Sequence, residues 1–134
     1  MRYKRGKYFP KKPNKYKGDY RNIGYRSGWE LKFMKFCDYN SSITEWGSEE
    51  IIIPYISPVD GKRHRYYPDF YVKSKGKKYI VEVKPLRQTK EPKTQKKVTK
   101  KYINEVVTWS VNNAKWKAAT EFCKDYNMEF MIIT

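Results

Sequence analysis

Asp69, Glu82 and Lys84 are residues whose types and spacing could do chemistry. They lie in RYYPDFYVKSKGKKYIVEVK, Arg65 to Lys84, where two runs rich in aromatic and β-branched residues, Tyr66–Val72 and Lys78–Lys84, flank Lys73-Ser74-Lys75-Gly76-Lys77. That pattern predicts a β-hairpin whose glycine supplies the tight reversal. Side chains alternate along a strand, so Ile80, Glu82 and Lys84 share one face while Tyr79, Val81 and Val83 take the other. With Lys75-Gly76 as a two-residue loop, Ser74 faces Lys77 and Asp69 falls opposite Glu82. A loop one residue longer or shorter would make the two acids diagonal neighbours. Like charges set across a ladder destabilise a sheet unless a positive group lies between them. Mg²⁺ (or Mn²⁺) would supply it, because such cations take oxygen ligands, usually one or two carboxylates with waters and substrate phosphate. A cation so held can activate water against a phosphodiester. Lys84 alongside would orient that water and stabilise charge developing on the phosphate. The alternative is a pair of solvated strand acids with Lys84 as their salt-bridge partner.

The elements around the hairpin are legible to different degrees. Ser27-Gly28-Trp29-Glu30 has the capping-box pattern, and Leu31, Phe33, Met34, Phe36 and Cys37 follow at helical spacing, which predicts a helix from Gly28 to Tyr39. Glu30 therefore reads as a structural cap. Asn40 to Ser48 reads as a loop. Ile51 to Ile56 reads as a strand with Pro54 at an edge or bulge, and the turn at Pro58-Val59-Asp60-Gly61-Lys62 would pair it with the strand carrying Asp69. His64, the sole histidine, could be a base or incidental. Tyr102 to Val107 predicts one helix, Asn112 or Asn113 could cap a second through Cys123, and Glu129 to Thr134 reads as a last strand.

Thirty Lys plus Arg against 14 Asp plus Glu give a formal charge of +16, which points to a polyanionic partner, most simply nucleic acid. At 134 residues the chain has the length of one domain, and 39% hydrophobic residues suffice for a core. No run is long enough to span a bilayer and the start lacks a signal-peptide pattern, so neither membrane nor export is expected. Cys37 and Cys123 are expected to be buried free thiols. Residues 1–26 carry ten Lys or Arg and one acid, Asp19, interleaved with Tyr3, Tyr8, Phe9, Tyr16, Tyr20 and Tyr25 among prolines and glycines. They read as an extended basic and aromatic arm ahead of a domain over 27–134, contacting DNA, docking on an assembly or simply solvated. After Lys84, Arg87, Lys90, Lys93 and Lys96 recur at every third position, with Lys97 beside them. In a polyproline-like segment they would align to track a phosphate backbone; a solvated linker is the alternative.

Pro68-Asp69 followed by Glu82-Val83-Lys84 on adjacent strands resembles the PD-(D/E)xK nuclease signature. The order helix, three strands, two helices, strand (α-β-β-β-α-α-β) is similar to that superfamily's core. This implies a restriction-endonuclease-like α/β fold with a mixed central sheet flanked by helices. VNNAKWKAATEFCKDYNMEFMIIT is similar to the end of the catalytic domain in the endonuclease subunit of cut-and-paste transposons. Tyr25 to Glu30, Trp46 to Glu50, Ile53-Pro54-Tyr55, Asp60-Gly61-Lys62, Arg65-Tyr66-Tyr67 and Trp109 to Asn112 look more like the head completion nucleases of large contractile-tailed phages. The resemblance implies a metal-dependent DNA endonuclease that processes ends before tails attach. Glu30, Asp69 and Glu82 would serve the metal and Lys84 the chemistry. The implied partners are DNA and head or neck proteins such as the portal, in the host cytoplasm or at the virion neck. The resemblance also implies a C-terminal extension after the last strand, which the sequence through Thr134 does not include. Two further functions stand beside this one: a non-catalytic neck protein, and a strand-specific endonuclease working with a transposase-like partner.

Overall fold

In the computed structural model, which describes residues 5–134, Ser27 Oγ accepts the Glu30 N–H at 3.1 Å and opens a helix, α1 (Gly28–Tyr39), over the expected range. The hairpin also forms as expected. Strands β6 (Phe70–Ser74) and β7 (Lys77–Val83) pair antiparallel with Ser74 opposite Lys77, and Lys75 (φ 51°) and Gly76 (φ 80°) make the turn. Positive φ at both loop positions matches the twist of the flanking strands, which explains why two residues suffice.

The sheet around this hairpin differs from expectation. Asn40 to Ser48 is not a loop: Ile43–Ser48 forms a strand, β3, antiparallel to β6. A register shift between Ile43 and Glu45 breaks its alternation, and a bulge of this kind hides the period-two signal. The run ending at Ile56 does not pair with the strand after Asp69. It forms β4 (Ile53–Ile56), paired among the described residues only with β5 (Arg63–Tyr66) in a separate ribbon. Pro68 cannot donate to a ladder, so the run expected as one strand from Tyr66 is split into β5 and β6.

A final strand, β8 (Glu129–Ile133), lies parallel to β7, giving a mixed sheet in the order β3-β6-β7-β8. The crossover before it carries a single helix, α2 (Lys100–Asp125), where two were expected. Thr99, not Asn112 or Asn113, is its cap, accepting from Tyr102 N at 3.1 Å. No Gly or Pro interrupts residues 100–125, and an interior Asn costs a helix only about 0.7 kcal/mol. The expected polyproline track is also interrupted, since Leu86–Thr89 forms a 3-10 turn.

Helix α1 covers one face of the sheet, where Phe33 meets Phe70 at 4.6 Å between ring centroids; α2 covers the other, around Tyr71, Ile80 and Cys123. Cys37 and Cys123 are buried and free. The segment expected to be an extended arm is part of the first core. Its strands β1 (Gly6–Tyr8) and β2 (Ile23–Tyr25) pair, and Tyr8, Tyr16 and Ile23 are buried with Trp46. Tyr16 packs edge-on to Trp46 at 4.7 Å. Asp38, fully buried, accepts hydrogen bonds from Tyr8 Oη (2.6 Å), Lys11 N (2.7 Å) and Lys12 N (3.0 Å). Lys15 Nζ donates to the carbonyls of Cys37, Asp38 and Asn40 at the end of α1. Gly47 lets the Lys17 backbone lie against β3, where Lys17 N donates to Trp46 O at 2.7 Å, because a Cβ at 47 would lie 3.0 Å from Lys17 O. Tyr3 and the rest of residues 1–4 lie outside the described residues.

Candidate active site

Asp69 immediately precedes β6, and extending the Phe70–Val81 register by one residue sets it opposite Glu82 of β7. The two carboxylates are tied into each other's strands. Asp69 N donates to Glu82 Oε1 at 3.2 Å, and Val83 N donates to Asp69 Oδ2 at 2.8 Å. Asp69 O accepts from Glu49 N at 3.1 Å, which fixes the backbone of the acid from the other side. Glu82 pairs in register with Ile132 and lies on the α2 face of the sheet, 4% exposed. Lys84 follows on that face with Nζ 4.0 Å from Glu82 Oε2, its side chain partly open to solvent. Asp69, Glu82 and Lys84 thus converge as the strand register predicted.

Burial, then the charge of Glu82, pushes the Asp69 carboxyl up to about 7. The Val83 N–H and the Lys84 ammonium oppose this, and the charge of Glu30 adds to it. One lysine does not balance two carboxylates set this close in low dielectric. Tyr66 on β5 adds a second sign of incompleteness. Its hydroxyl is buried and meets no partner in good hydrogen-bond geometry among the described residues, although Glu82 lies near enough that, after burial, its charge and its hydrogen bonding raise the hydroxyl's pKa. An acid pair short of positive charge beside an orphaned hydroxyl fits a divalent cation with its water shell, since hard cations prefer carboxylate and water oxygens. Tyr66 escaped the sequence reading because its role depends on β5 folding back over the acids. The available signal was a polar-tipped aromatic three residues before Asp69.

Glu30 stands apart from the pair. Its Oε1 accepts Arg26 N at 2.9 Å, one residue before the Ser27 cap, at the start of α1, which covers the opposite face of the sheet from Glu82. Among the described residues no three His, Cys, Asp or Glu side chains are grouped to hold a metal. The expected convergence of three acids is therefore a pair, with Glu30 close enough only for its charge to reach Asp69. His64 pairs with Asp60 across the β4–β5 turn at 2.8 Å, exposed and engaged there. Of the basic series, Arg87 and Lys90 line a groove against Lys100 and Lys101 of α2, while Lys93, Lys96 and Lys97 are exposed on the segment leading to that helix.

A mixed sheet between helices, with two acids and a lysine at the ends of its central strands, is a restriction-endonuclease-like arrangement, and the comparisons agree. The chain belongs to the TnsA-like endonuclease N terminal family, which matches residues 40–134 and so includes Asp69, Glu82 and Lys84. Across 134 aligned residues, 96% of this chain and 89% of the other, it is 41% identical to the head completion nuclease of Enterobacteria phage T4. No solved structure matches the chain.

Proposed function

We propose that this protein is a metal-dependent DNA nuclease acting in phage head completion, with Asp69 and Glu82 holding Mg²⁺ or Mn²⁺ and Lys84 serving the reaction. The observation that carries the reading is the pair of half-buried Asp69 and buried Glu82, tied across adjacent strands with Lys84 at its open side. Family membership supports the endonuclease class, and the name of the T4 relative supports head completion. A bound divalent cation supplies positive charge to the scissile phosphate and makes water a stronger acid. Asp69 and Glu82 bind and orient that cation, their backbone hydrogen bonds fixing both carboxylates before substrate arrives. Lys84 directs its ammonium into the space before Glu82, where it steadies the attacking water and the charge gathering on phosphate oxygens; such a group is worth about 10²–10³ in rate. Glu30 contributes negative charge from the rim. DNA is the substrate that a +16 chain attracts, and head or neck proteins at the packaged end are the proposed partners.

Duplex, nicked and branched DNA incubated with Mg²⁺ or Mn²⁺ test the proposal. Wild type should cleave at least one form, EDTA should abolish cleavage, and Lys84→Ala should lose about two orders of magnitude or more while folding normally. Equal cleavage by wild type and Lys84→Ala would place the chemistry elsewhere.

A further inference from the structure

Between the segment leaving Lys84 and the N-terminal half of α2 lies a groove of about 670 Å³, within the roughly 300–1,000 Å³ of small-ligand sites. Asn112 lines it. This residue is only 6% exposed, yet its amide takes part in none of the side-chain hydrogen bonds among the described residues. An amide with no partner from the chain is free to donate to and accept from a ligand in the groove. Asn104, Thr108 and Asn112 recur every four residues along one face of α2, so their polar tips line the same wall, and Gln88 faces them from the 3-10 turn. Trp109, half-buried, lines the groove as well and is braced edge-on against Trp116 at 6.3 Å and 81°. Arg87, Lys90, Lys100 and Lys101 border these groups against a single acid, Glu105.

A groove that only tracked phosphates would need the cations alone. Amides that donate and accept suit the edge of a base, and an indole suits its face. In a duplex the faces are stacked and the Watson–Crick edges paired, leaving only the groove edges open, so only an unpaired nucleotide can present an edge and a face together. Arg87 and Gln88 follow Lys84 by three and four residues, at most about 10–14 Å of chain. That spans a few nucleotides at the ~3.4 Å per residue of a stacked strand.

We propose that this groove binds an unpaired nucleotide of the substrate strand, its base against Trp109 and the Asn104, Asn112 and Gln88 amides. The protein thereby selects DNA carrying an unpaired end or branch beside the scissile phosphate. The proposal rests on the nuclease reading for its meaning, but binding can be measured without cleavage. In EDTA, the full chain is titrated into labelled blunt duplex, duplex with a short thymidine tail on either end, and the same duplexes with abasic tails. One of the thymidine-tailed duplexes should bind at least fivefold more tightly than its abasic counterpart, from the stacking of one base. Asn112→Ala and Asn104→Ala should each shrink that ratio toward one while blunt-duplex binding stays within twofold; Asn104, being exposed, guards against a folding defect. Lys101→Ala should weaken all ligands in parallel and leave the ratio intact. Equal binding of thymidine and abasic tails by wild type, or an unchanged ratio in both asparagine variants, would overturn the proposal. Failure of the nuclease reading shows separately, as absence of metal-dependent cleavage by a protein that retains the base-dependent ratio.

Discussion

Replacing Asp69 by Asn should stabilise the protein at the pH where it is expected to work, and by an amount the site itself sets. The carboxyl rises from its ordinary 3.8 to about 7, chiefly through burial and the Glu82 charge. The folded chain thus holds this proton more tightly than the unfolded chain does. The group's contribution to stability is fully present below about pH 4 and declines as pH rises, the loss being complete above about 7. Ionisation costs the fold on the order of 4 kcal/mol, through burial first and then the neighbouring Glu82 charge. An Asn at 69 keeps an oxygen for the Val83 N–H and removes the charge. Its gain above pH 7 should therefore be about 2–4 kcal/mol, or roughly 7–14 °C in Tm at ~2.1 cal/mol/K per residue. Thermal melts of both proteins in EDTA between pH 4 and 8 measure it, and the difference cancels the general effect of the large positive charge. The gain should appear at pH 8 and vanish near pH 4, while activity is lost. Adding Mg²⁺ should raise the wild-type Tm at pH 8 and leave that of Asp69→Asn nearly unmoved. A variant that melts below wild type at pH 8, or a difference independent of pH, would refute the picture of two acids short of a cation.

Two further substitutions separate structure from chemistry. Glu30→Gln keeps an acceptor for Arg26 N and should leave Tm within about 2 °C, so a tenfold or greater loss of cleavage would give the glutamate's charge a part in catalysis, while unchanged cleavage would leave it a cap. Asp38→Ala leaves Tyr8 Oη and two backbone N–H groups without their acceptor and should cost about 3 kcal/mol or more, read as a lower urea midpoint; an unchanged midpoint would mean that residues 5–26 are dispensable to the fold.

Asp69 and Glu82 could be set opposite each other from sequence because a two-residue loop fixes a register, and a register fixes every pair along both strands. Helix α1 was legible for a similar reason, its cap and its apolar period both being local. What escaped was held by contacts distant in the chain. Tyr8 and Asp38 are 30 residues apart, and Tyr16 and Ser48 are 32 apart, so the Pro and Gly of the N-terminal segment gave only its local signal, that of an open chain. Strand β3 escaped through its bulge. Asn112 escaped because Asn favours caps in isolation, whereas here an uninterrupted helix turns it toward a groove.

Pro68 explains why the acids sit where they do. By ending the ribbon strand at Tyr66 and starting β6 only at Phe70, it stops the β6–β7 ladder one residue short of Asp69 and Glu82. The Asp69 and Val83 N–H groups would otherwise face a gap, and an unpaired buried N–H costs about 1–3 kcal/mol. Each is instead satisfied by the carboxylate of the other strand. The acids therefore replace ladder bonds, which offsets part of the repulsion between them and holds one oxygen of each in place. The remaining oxygens, with the Tyr66 hydroxyl nearby, are left without enough positive charge from the chain. A swap of either acid for an apolar residue would relieve the repulsion but orphan an N–H. A swap for the matching amide would relieve it at little cost, so the amide variants are the ones that distinguish electrostatic tension from lost hydrogen bonding.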